Sequence, residues 1–187
     1  MGDGATAIHY VPDETATGPV SAGKPWDILF LVSQVAQGTQ YGHFGSQCRT
    51  PSAQRALAWR CAKVVVGRHL PWFVTPGHFL VAQRDGDAVG AALVVCLRSP
   101  HQNHSMLEYL VVDDRFRGNG VGAALVDAAL CTVPPGGTLL CQCAPTSRVM
   151  RRLLIRFGFK REHESTVFHS ISAGRPVLIP SLWFRRC

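Results

Sequence analysis

The sequence predicts one mixed α/β (α+β) domain whose sheet is mostly antiparallel and turns parallel across residues 105–145. Three observations predict it. The chain has 187 residues, 47% hydrophobic and 17% charged, which is enough to bury one sizeable core and too apolar for wholesale disorder. Apolar periodicity runs helix–helix, then a series of strands, then strand–helix–strand–helix–strand. Asp85-Gly86 marks a tight hairpin between early strands, whereas a glycine-rich turn and a helix separate later ones, as a parallel crossover requires.

The elements follow in order. Residues 1–25 are rich in Gly, Pro, Thr and Ala and read as a loose lead-in, with Ile8–Val11 as a short strand; residues 26–187 read as the single domain. From Trp26-Asp27 the spacing of Ile28, Leu31, Val32 and Val35 predicts an amphipathic helix that Gly38 ends. A loop with Tyr41, His43 and Phe44 leads to a second helix from Pro51 to about Val66, apolar at Leu57, Cys61, Val64 and Val65. Phe79–Gln83 and Ala88–Leu97 flank the hairpin turn, and Ser105–Val112 and Thr138–Cys143 are further strands. Ser147–Phe157 is helical, and Thr166–Ile171 and Val177–Trp183 close the chain as strands.

Composition excludes several classes. No apolar run approaches the ~18–20 residues of a membrane span. Nineteen basic against twelve acidic residues give +7, which favours anionic ligands, but the basic residues form no long tract and nucleic acid is not expected. Seven cysteines, an odd number in a chain of this size, argue against a disulfide framework and for a reduced, cytoplasmic protein. Cys141 and Cys143 share a strand face, no second pair stands at zinc-finger spacing, and no metal site is expected. Met1–Thr6 matches the bare myristoylation pattern.

The most informative stretch is Leu110-Val111-Val112-Asp113-Asp114-Arg115-Phe116-Arg117-Gly118-Asn119-Gly120-Val121-Gly122-Ala123-Ala124-Leu125. A β-branched strand runs into alternate glycines and then a helix. A helix start leaves backbone N–H groups unpartnered at the positive end of its dipole, and glycines let a phosphate touch them. The third glycine is misplaced for a dinucleotide fingerprint, and the Gly-Lys-Ser/Thr of a Walker loop is absent. Arg117-x-x-Gly120-x-Gly122 fits Arg/Gln-x-x-Gly-x-Gly/Ala at every fixed position.

This stretch resembles the GNAT superfamily of acyl-CoA-dependent N-acetyltransferases, whose pattern is Leu-x-Val-x-Pro-x-x-Arg-Gly-x-Gly-x-Gly-x-x-Leu; Asp114 stands at the family's Pro. A second element, a helix running into Gly-Phe, is similar to Ser147–Phe157 followed by Gly158-Phe159, about 40 residues on. The resemblance extends from about Trp26 to the C-terminus. It implies a mostly antiparallel sheet with helices on both faces and a splayed parallel strand pair. It implies that backbone N–H groups of Arg117, Gly118, Asn119, Gly120, Val121 and Gly122 hold the pyrophosphate of acetyl-CoA. Val111 and Val112 would pair with the pantetheine amides like an added strand, with Ser147 near the same arm. One departure stands out. The family often has a Tyr, which protonates the leaving thiolate, four residues before the Gly of Gly-Phe; here that residue is Leu154. Either another group donates (Ser147, Cys143 and Tyr109 are candidates), or the thiolate leaves unaided, or the protein is not a catalyst.

Acetyl transfer to an amine needs the amine deprotonated, the carbonyl oxygen stabilised and the reactants held together. Glu108 is the first candidate base, four residues before Val112 and so on the same strand face; the bland reading is a salt-bridged carboxylate. His43 is the second, in a loop that often borders the acceptor site in this fold. Tyr41 and Phe44 either shape the acceptor pocket or pack on the core; His101 and His104 rank below His43, and Trp183 and Phe184 either line the cleft or, the preferred reading, pack in the core. Arg148, Arg152 and Arg156 share one helix face, as an exposed stripe or as contacts to the 3′-phosphate end of CoA.

The expectation is therefore an N-acetyltransferase moving acetyl from acetyl-CoA to a primary amine, in a small molecule or peptide, by direct attack in a ternary complex. A non-catalytic acyl-CoA-binding or regulatory module is the alternative, and acetylation of charged tRNA or a ribosomal protein is a third reading. A C-terminal sheet edge leaves a homodimer open.

Overall fold

The computed structural model describes residues 18–67, 76–99, 102–168 and 177–187. Among these, Val20–Ala22 (β1) lies antiparallel on Gly77–Arg84 (β2), so the end of the lead-in joins the sheet. Ile8–Val11, His101 and Met1–Thr6 lie outside the described residues. Helix α1 (Asp27–Gly38) starts where the buried Asp27 accepts a 2.8 Å hydrogen bond from the Lys24 N–H. Helix α2 (Pro51–Gly67) starts with Pro at its first position, where the missing N–H costs nothing, and with Thr50 Oγ1 accepting from Ala53 N–H at 3.3 Å. Two short 3₁₀ turns, Thr39–Tyr41 and Ser46–Arg49, fill the loop between them.

Asp87–Ser99 (β3) returns from β2 through the Asp85-Gly86 turn, where both residues take positive φ. β3 then pairs antiparallel with Gln102–Val112 (β4). The crossover follows: α3 (Val121–Cys131) carries the chain to Thr138–Cys143 (β5), which is parallel to β4. After α4 (Arg148–Arg156), Lys160–Phe168 (β6) and Val177–Arg186 (β7) complete a seven-stranded sheet of order β1-β2-β3-β4-β5-β7-β6. The mostly antiparallel sheet with one parallel pair is the predicted fold class. The predicted strand Thr166–Ile171 begins earlier, at Lys160. The charged run Lys160–Glu162 hides it, because β6 is a sheet edge where polar side chains suit solvent. Residues 169–171 lie outside the described residues.

Strand alternation sorts two cores. Phe79, Val81, Ala91, Leu93 and Val95 face α1 and α2 with Leu31, Val35, Leu57 and Val64. Leu80, Ala82, Ala92, Val94, Leu139, Cys141 and Cys143 face α3 and α4 with Val121, Leu125 and Leu154. Cys141 and Cys143 thus share one buried face, and burial pushes the Cys143 thiol up to about 11. No helix among the described residues is long and apolar enough to cross a membrane.

Gly90 sets how closely α3 sits on the sheet. A Cβ there would lie 2.7 Å from Val121 Cγ1 and 3.0 Å from Leu125 Cδ1. Val121 is β-branched and at the helix start, so it has little room to turn away. Gly90→Ala is expected to cost about 1–3 kcal/mol through overpacking, read as a lower denaturant midpoint at unchanged slope. An unchanged midpoint would show that α3 can shift freely.

Candidate active site

The parallel pair is short. β4 and β5 are in register from His104↔Thr138 to Leu107↔Cys141 and then part. Beyond that point β4 keeps only β3 as a neighbour, and β5 keeps only β7, which pairs along its other edge from Leu139↔Arg186 to Cys143↔Leu182. A β-bulge sits at the parting: pairing steps from Leu93↔Tyr109 to Val94↔Leu107, leaving Glu108 as the extra residue. The bulge corrects one expectation. Even spacing places Glu108 on the face of Val112, but the extra residue reverses the alternation. Leu110 and Val112 face α3, with Val112 Cγ2 lying 3.8 Å from a Cβ built on Gly122. Glu108 instead meets Arg60 of α2 in a bidentate pair, Arg60 Nε donating to Oε2 at 2.7 Å and a terminal nitrogen donating to Oε1. The side chains are 17% and 6% exposed. Burial holds the Glu108 carboxyl above its usual range, against the opposing pull of Arg60.

A cleft of about 730 Å³ opens where the strands part, within the range of small-molecule sites. Its floor includes Leu107, Glu108, Leu110, Val111 and Val112, and the β5 wall includes Cys141, Gln142 and Cys143. Arg117, Gly118, Gly120 and Gly122 line the mouth. The turn is built as its glycines demand: Gly118 and Gly120 both hold φ +83°, a region L-residues avoid. The first hydrogen bond of α3 is Ala124 N–H to Gly120 C=O at 3.0 Å, and no side chain caps the helix. Among the described residues, the N–H groups from Gly118 to Ala123 have no backbone acceptor, and a Cβ at Gly118 would meet nothing within 4 Å. This is a main-chain anion cradle that fits a diphosphate. Arg117 pairs with Asp114 at 2.6 Å, and its Nε reaches the Val112 carbonyl at 3.4 Å.

The opposite wall joins two distant loops. His43 and Phe44, from the α1–α2 loop, face Thr146 and Ser147 at the start of α4. Thr146 Oγ1 donates to Gly42 C=O at 3.1 Å, and Ser147 Oγ lies 3.3 Å from His43 Nδ1. Burial and then the Arg117 charge hold the His43 imidazole below its ordinary 6.5, with Asp114 opposing. Of the residues assigned from sequence to the base or to the cradle and strand end, all but Asn119 and Val121 line the cleft. Asn119 is exposed and the Val121 side chain is in the core, though both belong to the same turn.

Other candidates fall elsewhere. Tyr109 is outside the cleft lining, its ring 5.9 Å from Phe44, and Leu154 is fully buried against α3. Tyr41 is exposed, Phe184 is core, and Trp183 stacks on His163. Arg148, Arg152 and Arg156 are at the surface of α4 and also line the cleft. No cluster of three metal-ligating side chains occurs among the described residues. Arg60 was not singled out from sequence. The signal was present: it is a charged residue at i+3 from Leu57 and next to Cys61, inside the apolar stripe of α2.

A buried ion pair broken on one side leaves an uncompensated charge. Arg60→Met is expected to destabilise the fold by about 3 kcal/mol, and Arg60→Met with Glu108→Gln to recover more than half of it. Chemical denaturation of both variants checks this; equal losses would show that the pair is not coupled.

Comparison with known proteins agrees with this geometry. Residues 46–159 match the sequence model of the Acetyltransferase (GNAT) family. No curated protein matches the chain at the sequence level. Solved structures share the fold at low identity. A phosphinothricin acetyltransferase of the GNAT superfamily from Sinorhizobium meliloti, in complex with AcCoA, aligns with TM-score 0.68 at 15% identity, over 91% of this chain and 88% of that one. A GNAT-family acetyltransferase from Streptococcus pneumoniae aligns with TM-score 0.63 at 13% identity, over 90% and 97%. The ribosomal-protein-alanine N-acetyltransferase of Brucella melitensis aligns with TM-score 0.62 at 16% identity, over 90% and 98%. The match spans more than half the chain and holds both the strand–glycine turn–helix and the helix running into Gly158-Phe159: this protein belongs to the GNAT acetyltransferase family.

Proposed function

We propose that the protein transfers an acetyl group from acetyl-CoA to a primary amine by direct attack within a ternary complex. The observation that carries the reading is the meeting of an uncapped glycine cradle and a strand parting in one cleft. The N–H groups from Gly118 to Gly122 would hold the pyrophosphate; the Arg117 N–H, expected from sequence to join them, is already given to the Asp114 carbonyl at 3.4 Å. The free edge of β4 at Val111 and Val112 would align the pantetheine arm, and the thioester would lie in the gap towards β5. His43 is the base we assign. It lies in the cleft wall, and its lowered pKa keeps it neutral near pH 7, ready to accept a proton. Glu108 is the weaker candidate, because both its oxygens are held by Arg60. The structural neighbours are named for acceptors as different as phosphinothricin and a ribosomal-protein alanine, so the acceptor is assigned only as an amine.

Leu154 favours one second reading, a non-catalytic acyl-CoA module. The position where the family often has a proton-donating Tyr is a fully buried Leu. The two readings separate in one assay. Purified protein with acetyl-CoA and a panel of polyamines, amino acids, aminoglycosides and peptides is expected to release free thiol. Bound acetyl-CoA with no thiol release across the panel would leave the binding module. Gly122→Glu and Gly120→Glu are both expected to weaken acetyl-CoA binding about 100-fold, by setting a carboxylate against phosphate. Gly122 is the cleaner site, since the nearest atom its Cβ would meet is Leu153 Cδ2 at an ordinary 3.5 Å. Unchanged affinity in titration calorimetry would refute the cradle.

His43 adds a pH dependence. A base with a lowered pKa loses its proton-accepting form only as pH falls through that pKa. The pH dependence of kcat/KM, which reports the free enzyme, is therefore expected to be flat near neutrality and to fall with a midpoint below 6.5. Replacement by Gln should abolish that limb and slow turnover about 100-fold. An unchanged limb in His43→Gln would move the base role away from it.

A further inference from the structure

We infer that Ser147 is the group that protonates the departing thiolate, and that it is re-protonated by His43 across their direct contact. The inference rests on the acetyl-transfer reading above. It answers the question that reading leaves open: which group does the work that Leu154 cannot.

Three observations support it. Ser147 stands at the N-cap of α4, where a serine hydroxyl ordinarily accepts from the helix's first N–H groups, yet it makes no cap bond. Its Oγ is turned instead to His43 Nδ1, 3.3 Å away and 104 residues distant in sequence. Both residues line the cleft that opens beside β4. The contact is braced by the neighbouring Thr146–Gly42 hydrogen bond, which fixes the two loops against each other. The other candidate donors are placed differently. Tyr109 packs behind the cleft wall with its ring on Phe44 and is not among the residues that line the cleft. Cys143 lines the β5 wall of the cleft, but among the described residues its thiol has no hydrogen bond to a group that could restore its proton, as Ser147 has to His43.

The protons balance. The amine nitrogen attacks the thioester carbonyl carbon, the N–C bond forms, the C–S bond breaks, and its electron pair goes to sulfur. The proton lost by the nitrogen goes to Nε2 of neutral His43. The Nδ1 proton passes to Ser147 Oγ as the hydroxyl gives its own hydrogen to sulfur. The products are the N-acetylated amine and the free thiol of CoA. His43 ends neutral with its proton on Nε2 and returns to the starting tautomer by exchange with water. One pair of residues thereby serves as base and acid in a single turnover, and no second titrating side chain is needed.

The test compares the wild type with Ser147→Ala and Ser147→Thr, using the full chain, acetyl-CoA and whichever amine of the panel supports thiol release. Ser147→Ala is expected to lower the single-turnover rate about 100-fold while the KM for acetyl-CoA stays within about threefold. Ser147→Thr, which keeps the hydroxyl, is expected to hold the rate within about tenfold of the wild type. Rates in mixtures of light and heavy water should bow for the wild type, as for two protons in flight, and become linear for Ser147→Ala. A Ser147→Ala rate within about twofold of the wild type overturns the relay while leaving acetyl transfer intact. A rise in KM with the rate unchanged also overturns it, and makes Ser147 a binding residue. An acetyl group found on Ser147 by mass spectrometry after acetyl-CoA alone would make it a nucleophile and overturn it too. A wild type that releases no thiol with any amine overturns the transfer reading itself. Should Ser147→Ala not fold, Ser147→Thr carries the test through its curved isotope response, and a linear response there counts against the relay.

Discussion

The parting of β4 from β5 is the constraint on which the site depends. Two parallel strands that stayed paired would satisfy each other's N–H and C=O groups and leave no cleft. Here the ladder stops at Leu107↔Cys141, and the bulge at Glu108 begins at the next residue of β4. A bulge adds one residue to one strand, bends it and increases its twist. That bend carries Val111 and Val112 away from Gln142 and Cys143, which stay paired with β7 along the other edge of β5. The space between becomes the cleft, and the free edge of β4 becomes a surface able to pair with an extended, amide-bearing ligand. The Arg60–Glu108 pair belongs to the same device. The bulged residue would otherwise bury a bare carboxylate, and α2 supplies the partner that lets it stay ionised.

Much of this was legible in the sequence because it is local. Residues 110–125 specify strand, turn and helix within sixteen positions, and Gly118 and Gly120 each have a reason in their own φ. The two early helices were legible for the same reason: Ile28, Leu31 and Val35 mark the buried stripe of α1, and Leu57, Cys61 and Val64 that of α2. What the sequence hid is non-local or sub-residue in scale. A bulge leaves no mark in a hydrophobic pattern as short as Leu107–Val112, yet it turns Glu108 to the opposite face. Arg60 and Glu108 are 48 positions apart, and His43 and Ser147 are 104 apart, so neither pair could be read from spacing. The edge strand at Lys160 was masked by charge, since solvent-facing edges do not alternate as buried strands do.

The distribution of charge gives the last step. The chain carries +7, but an excess spread over a surface says little about partners. Here four arginines, Arg117, Arg148, Arg152 and Arg156, converge on one concave cleft. Among the described residues, Glu108 is the one carboxylate lining that cleft, and it is already matched by Arg60. The positive potential therefore gathers in a cleft with apolar walls, where field lines are focused and a small anion is drawn in, rather than along a broad face suited to a polyanion. The N-terminus of α3 adds its own partial positive charge at the mouth, with no side chain to cap it. The same field acts on the opposite wall: Arg117 helps to hold His43 neutral in the free protein. A bound diphosphate would offset part of that field, raising the basicity of the imidazole once the acyl donor is in place. On the proposed reading, loading the cleft would thus sharpen the base only when there is a thioester for the amine to attack.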